Sequence, residues 1–210
     1  PVLLPHENSR NCHHMMSLAV AGKALWVVLI VAWYLLRRPF DRRARRAKLT
    51  VDRRKGADTL RLAISLTGLG IIPAVYVATG RPGFASYTPS PVLFALGILT
   101  GIAALLLFRL THKALGQMWS VSLQLKQDHK LITTGIYKRL RHPMYTAFWL
   151  MALTQALLLP NYIAGLSGLA GFGFLFFSRI GAEEQMMEEA FGEEYRQYRA
   201  RTWRVLPLVY

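Results

Sequence analysis

A single cysteine, Cys12, stands in 210 residues, so no intramolecular disulfide can form, no CxxC zinc or redox pair exists, and the redox compartment is not defined by cysteine usage. Acidic residues are also scarce, with 11 Asp and Glu against 26 Lys and Arg for a net charge of +15. Disordered and nucleic-acid-coating chains reach such a balance by giving up apolar residues. This chain has not: 53% of it is hydrophobic and its mean hydropathy is +0.26. The two signals must be segregated along the chain, as in a basic membrane protein. HExxH, Walker, GxGxxG and nucleophile-elbow motifs are absent, which leaves metalloprotease, NTPase, Rossmann and hydrolase readings without support. His129 and His142 have no third histidine nearby, so no metal site is expected.

A helix needs about 20 mainly apolar residues to cross a bilayer. Five runs qualify or come close: 17–36, 62–79, 91–108, 144–159 and 161–178. Lys23 lies near one end of the first, where its stem can snorkel to the interface. Pro73 should kink the second, and Pro91 suits the first turn of the third. The fourth run is short, and Pro160-Asn161 sets it against the fifth in a tight helical hairpin. Ala164, Gly165, Ser167, Gly168, Gly171 and Gly173 form a stripe of small residues on which another helix can close in. The expected fold is therefore all-α, a polytopic membrane protein of about five transmembrane helices with a hairpin, cytoplasmic loops and a C-terminal helix.

Charge sets the orientation. Ten Lys and Arg lie between Arg37 and Thr59, whereas the loop from Gly80 to Ser90 holds only Arg81. Further basic residues follow in the segments 109–141 and 179–204, so alternate loops carry most of the charge and should be cytoplasmic. The N terminus then lies outside and the C terminus inside. Anionic lipid headgroups are the natural partners of these loops; a nucleic-acid partner is not expected, because the basic residues alternate with spans and not with stacking aromatics. Residues 1–16 read as an N-terminal arm, unstructured or with a chain start at Met15-Met16. A secretory signal peptide is not expected, as no small-residue cleavage site follows the first apolar run. Three helices with a basic loop at 37–61 fill 17–110, and 111–210, which includes the hairpin 144–178, holds the candidate chemistry.

Two cytoplasmic pieces carry that chemistry. In the first, Arg141-His142-Pro143 marks a helix start, whose exposed amides attract a polar or anionic ligand. In the second, Arg179 and Glu183 share a helix face. Spacing alone is met equally by an interfacial amphipathic helix with an i,i+4 ion pair, but Arg179 ends an apolar run, where an ionisable group is costly and more often functional or paired. A channel or scaffold would need polar residues inside the spans, and the first three spans offer only Lys23, Ser65, Thr67 and Thr100.

The string DHKLITTGIYKRLRHPMY (128–145), then Arg179, Glu183 and Glu184, then FGEEYRQY (191–198), resembles the isoprenylcysteine carboxyl methyltransferase family. His-x-Leu, Gly-x-Tyr, Arg-His-Pro-x-Tyr, a hairpin, Arg-x-x-x-Glu-Glu and Phe-Gly-x-x-Tyr recur in that order over about 90 residues; the first two spans lie outside the resemblance. It implies an enzyme using S-adenosylmethionine, with His129, Lys130, Leu131, Ile132, Tyr137, His142, Pro143, Met144 and Tyr145 lining the cofactor pocket. Arg179 would orient the acceptor, and Glu183 would contact the cofactor or hold Arg179. The acceptor it implies is a lipophilic carboxylate entering from the bilayer. Tyr137 and Tyr145 are equally suited to interfacial anchoring. Related proteins leave two neighbouring chemistries open, methylation of a lipid amine and NADPH-dependent sterol reduction, although Arg179 suits an amine acceptor poorly and Phe191-Gly192-Glu193 favours the methyltransferase over the reductase.

Overall fold

The computed structural model describes residues 5–44, 49–52, 56–116, 124–126 and 131–206. Six α-helices carry the fold: α1 (Pro5–Ala44), α2 (Gly56–Leu66), α3 (Ile72–Thr79), α4 (Pro91–Leu115), α5 (Pro143–Leu158) and α6 (Tyr162–Ala200). A short antiparallel pair, β1 (Leu49–Asp52) with β2 (Gln124–Lys126), is the one sheet among the described residues. The all-helical architecture expected from the apolar runs is otherwise what forms. Residues 5–15 are helical and continue into the first span, where an unstructured arm was one expectation.

Four helical segments are long and apolar enough to cross a membrane: Met16–Asp41, Asp58–Thr79, Pro91–Leu115 and Tyr162–Ala200. The fifth expected span is α5, whose 16 residues reach only about 24 Å at 1.5 Å per residue. It is packed between α4 and α6. On the outer helices, Val28, Val31, Leu99, Ile102, Leu106 and Phe177 are exposed. An apolar exterior of this extent belongs against lipid, and the chain is an integral multi-pass membrane protein.

Pro73 acts one turn earlier than expected. Residues Thr67–Ile71 form a π-helical turn between α2 and α3, a widening that lets the chain accommodate a proline that donates no amide bond. The Gly68 carbonyl at this turn accepts bonds from Gln155 Nε2 (3.1 Å) and Ser167 Oγ (2.8 Å), so its polarity is satisfied within the apolar layer as membrane burial requires. Small residues make this possible. A Cβ at Gly68 would collide with the Ser167 carbonyl, and one at Gly171 would lie 2.9 Å from the Ile64 carbonyl oxygen. The small-residue stripe on α6 is thus a packing face, as its spacing implied: Gly171 and Ser167 meet α2 and the π-turn, and Gly165, Gly168 and Gly173 meet α5 and the hairpin turn.

The α5–α6 hairpin closes over Leu159-Pro160-Asn161. Asn161 caps α6 by accepting from the Ala164 amide (2.9 Å), and its Nδ2 donates to the Pro82 carbonyl (2.7 Å) and to Ser86 Oγ (3.0 Å). That fastens the far end of the bundle. At the opposite end, Tyr145, Phe172, Leu175, Phe176, Ile180 and Val205 form a buried cluster. The apolar part of α6 ends at Ser178, and the helix then continues as a charged segment. Gly192 has φ 53° and ψ −123° within it, a left-handed break that glycine tolerates best, and it redirects the last turns toward the chain before α5.

Candidate functional site

At this end of the bundle the start of α5, the charged part of α6 and the C-terminal segment converge. Leu140 pairs with Trp203 as an isolated parallel bridge. Trp203 N–H donates to the Arg139 carbonyl (3.0 Å), Arg141 N–H to the Trp203 carbonyl (2.8 Å) and His142 N–H to the Arg204 carbonyl (3.0 Å). Tyr198 Oη donates to the Tyr137 carbonyl (2.7 Å) and Thr146 Oγ1 to that of Val205 (2.7 Å). These bonds fix the backbone of Arg141-His142-Pro143, which begins α5 as its sequence implied.

Two neighbouring acids on α6 share the result. Glu184, 5% exposed, accepts from Arg141 Nε (3.0 Å), Arg204 Nη2 (2.7 Å) and His142 Nε2 (3.3 Å). Glu183 accepts from the Tyr145 hydroxyl (2.6 Å) and faces His142 Nδ1 at 3.7 Å. His142 therefore stands between two carboxylates. Burial opposes its charge, but the bonds to Glu183 and Glu184 outweigh that and raise its pKa above the usual histidine value. Glu183 is lowered to about 2: burial opposes ionisation, and His142, Arg179 and the Tyr145 hydroxyl together prevail. Glu184 is also held well below the usual carboxylate range against its burial, by His142, Arg204 and Arg141. The cluster is one imidazole between two carboxylates, with arginines on the flanks.

Arg179 lies one helical turn before Glu183 and is 5% exposed. Its Nε is 4.0 Å from Glu183 Oε2 and 3.7 Å from Asp58 Oδ1. The i,i+4 pair expected from spacing is thus long, because Glu183 turns to Tyr145. Asp58, at the start of α2, is 2% exposed, and neither of its carboxylate oxygens accepts a hydrogen bond from the described residues. Burial pushes the Tyr137 hydroxyl well above its ordinary pKa.

The structure brings Arg179, Glu183, His142 and Tyr145 together. Pro143 is buried beside them and Met144 half-buried. Tyr137 and Tyr145 are each 8% exposed and packed inward, so interfacial anchoring is not their role. Leu131 and Ile132 are half-buried on the approach to the 3₁₀ turn Gly135–Lys138. His129 and Lys130 lie outside the described residues. No group of three or more His, Cys, Asp or Glu suited to a metal occurs among the described residues. A separate cleft of about 590 Å³ opens beyond the end of α4, lined by Leu110, Lys113, Ile136, Lys138 and Arg139 among others, and none of the expected site residues lines it. Sequence reasoning did not find Asp58, or Arg141 and Arg204 as partners of Glu184. Asp58 had a signal, being the acid that opens the second apolar run; Arg204 had none.

Fold and site together define a multi-pass helical membrane protein with a buried acid–base cluster at one end of its bundle. Residues 95–189 match the model of the isoprenylcysteine carboxyl methyltransferase (ICMT) family. The protein-S-isoprenylcysteine O-methyltransferase of Schizosaccharomyces pombe is 36% identical over 96 residues, 45% of this chain and 41% of that protein. That of Dictyostelium discoideum is 35% identical over 86 residues, 39% of this chain and 35% of its own length. The Homo sapiens protein of the same name is 33% identical over 81 residues, covering 39% and 28%. This chain thus spans about two fifths or less of these three relatives. A solved structure titled as the eukaryotic intramembrane Ras methyltransferase ICMT aligns with a TM-score of 0.48 at 23% identity, over 76% of this chain and 55% of that one.

Proposed function

We propose that this chain is an S-adenosylmethionine-dependent integral membrane methyltransferase that methylates the carboxylate of an isoprenylcysteine-like or other lipophilic acceptor at the cytoplasmic membrane face. The observation that carries this reading is the meeting of two motifs distant in sequence, Arg-His-Pro-x-Tyr and Arg-x-x-x-Glu-Glu, through the 2.6 Å bond from Tyr145 to Glu183 and the placing of His142 between Glu183 and Glu184. The residues suit the cofactor's chemistry. Ionised Glu183 and the buried Tyr145 ring offer negative charge and an aromatic face to a cationic ligand. His142, Pro143, Met144, Tyr145, Tyr137, Leu131, Ile132 and Glu183 would hold it, with His129 and Lys130 completing the pocket.

When bound, that cofactor would supply a methyl group on cationic sulfur for in-line transfer to an acceptor carboxylate oxygen, the sulfur leaving as a neutral thioether. The acceptor acid is ionised at neutral pH, so no side chain need act as nucleophile or move a proton. Arg179 holds one carboxylate oxygen toward the methyl through guanidinium hydrogen bonds, and positioning of this kind is the main catalytic term in such a displacement. Glu183 keeps its charge because Tyr145 and His142 bind it, and it adds to the field that favours the cation. Burial of the cluster excludes water and strengthens each of these interactions. Residues 111–210 would form the catalytic region. The basic ends Arg37, Arg38, Arg109 and Lys113 flank the same end of the bundle and would meet anionic headgroups on the cytoplasmic side, leaving the N terminus outside.

The test uses sealed inside-out and right-side-out vesicles given S-adenosylmethionine externally and an S-prenylated N-acetylcysteine as acceptor. Base-labile methyl ester should form in the inside-out vesicles alone, and Arg179→Lys should lower kcat at least tenfold while S-adenosylhomocysteine still binds. Transfer to a lipid amine with none to the acid would contradict the proposal, and equal rates in both vesicle types would contradict the orientation.

A further inference from the structure

We infer that Asp58, which lies outside the segment of family resemblance, is the counter-ion and positioning residue of Arg179 in the reaction proposed above. The inference rests on that reading for its chemistry and on the structure for its geometry. Arg179 and Asp58 are 5% and 2% exposed. Withdrawing either charge from water costs several kcal/mol, and such charges persist when they are paired. Among the described residues, Glu184 serves Arg141, His142 and Arg204, while Glu183 takes the Tyr145 hydroxyl, faces His142 and lies 4.0 Å from Arg179 Nε, farther than Asp58. Among the described residues Asp58 accepts no hydrogen bond, and it stands 3.7 Å from Arg179 Nε.

Its position is set by rigid packing. Asp58 lies on α2, and α2 is pressed to α6 where Gly171 approaches the Ile64 carbonyl and where Gly68 leaves no room for a side chain against Ser167. The carboxylate is thereby fixed relative to the helix that carries Arg179. At 3.7 Å, Asp58 neutralises the guanidinium by charge and not by a hydrogen-bonded fork, so an acceptor carboxylate that makes direct hydrogen bonds to Arg179 would lie closer to it than Asp58 does. Asp58 then holds the side chain from behind and repels the acceptor from its own side, which restricts the carboxylate to one approach. A residue in this role governs turnover more than cofactor affinity.

The experiment takes the full chain in detergent and compares Asp58→Asn and Asp58→Glu. Measured quantities are kcat and KM for the S-prenylated N-acetylcysteine, the affinity for S-adenosylhomocysteine, and the thermal midpoint. Asp58→Asn should lower kcat at least tenfold with S-adenosylhomocysteine affinity within twofold of wild type, and Asp58→Glu should restore most of kcat. Wild-type kcat in Asp58→Asn, or a loss shared equally by cofactor affinity and not rescued by Glu, would overturn the inference. Should Asp58→Asn unfold, the double variant Asp58→Asn/Arg179→Gln, which removes both charges, should regain thermal stability over the single one; a double variant as unstable as Asp58→Asn would overturn the pairing. Recovery of stability in the double variant, in a wild type that methylates no lipophilic acid, would instead overturn the proposed function and the positioning role while keeping the ion pair.

Discussion

His142 concentrates the argument at the scale of a single residue. Buried histidines are usually neutral, because desolvation lowers their pKa, yet here Glu183 and Glu184 face the two ring nitrogens and raise it. A group whose folded pKa lies above its unfolded value stabilises fully below the unfolded value, about 6.5, and that contribution is lost as pH rises through the folded pKa. The two glutamates behave in the opposite sense. Their lowered pKa values contribute above the usual 4.5 and are lost as pH falls, toward about 2 for Glu183. Thermal midpoints of wild type and His142→Gln in detergent should therefore differ most near pH 6, by the equivalent of about 1–3 kcal/mol for hydrogen bonds between charged groups. The gap should shrink toward pH 9; a constant difference across that range would mean that His142 is neutral in the fold. His142 and Pro143 were legible as a helix start from sequence, and Glu183 as a neighbour of Arg179. The acids that bracket His142 are 41 and 42 positions away, a distance no local pattern spans, so only the family resemblance hinted at them.

At the scale of elements, the α5–α6 hairpin and the α2–α6 contact position the site. Pro160-Asn161 and the small-residue stripe announced both. Pro73 announced a disturbance in the second span, but not its form: the π-turn at Thr67–Ile71 is relieved by Gln155, 87 residues later, and by Ser167. Compensation from another helix leaves no periodic trace. The short contact also explains why α2 can deliver Asp58 to Arg179. Replacing Gly68 by leucine should force α2 from α6, at a cost of about 1–3 kcal/mol or more for overpacking, and should lower kcat beyond what the fall in thermal midpoint accounts for at the assay temperature. A Gly68→Leu variant with wild-type stability and turnover would show that the helices need not touch here.

On the scale of the whole molecule, segregated composition explains the fold most directly. Apolar runs became helices with lipid-facing surfaces, and the basic residues Arg37, Arg38, Arg109, Lys113, Lys138 and Arg139 gather at the end that holds the site. What composition could not convey was that the short α5 is packed between its neighbours, or that the C-terminal segment returns to bind the start of α5. The central claim is that this end of the bundle is a pocket for a sulfonium cofactor. Its most direct test is calorimetric titration of the purified protein in detergent with S-adenosylmethionine, S-adenosylhomocysteine and NADPH. The account predicts saturable binding of the first two, weakened at least tenfold by Glu183→Gln, and none of NADPH; binding of NADPH alone, or of none of the three, would contradict it.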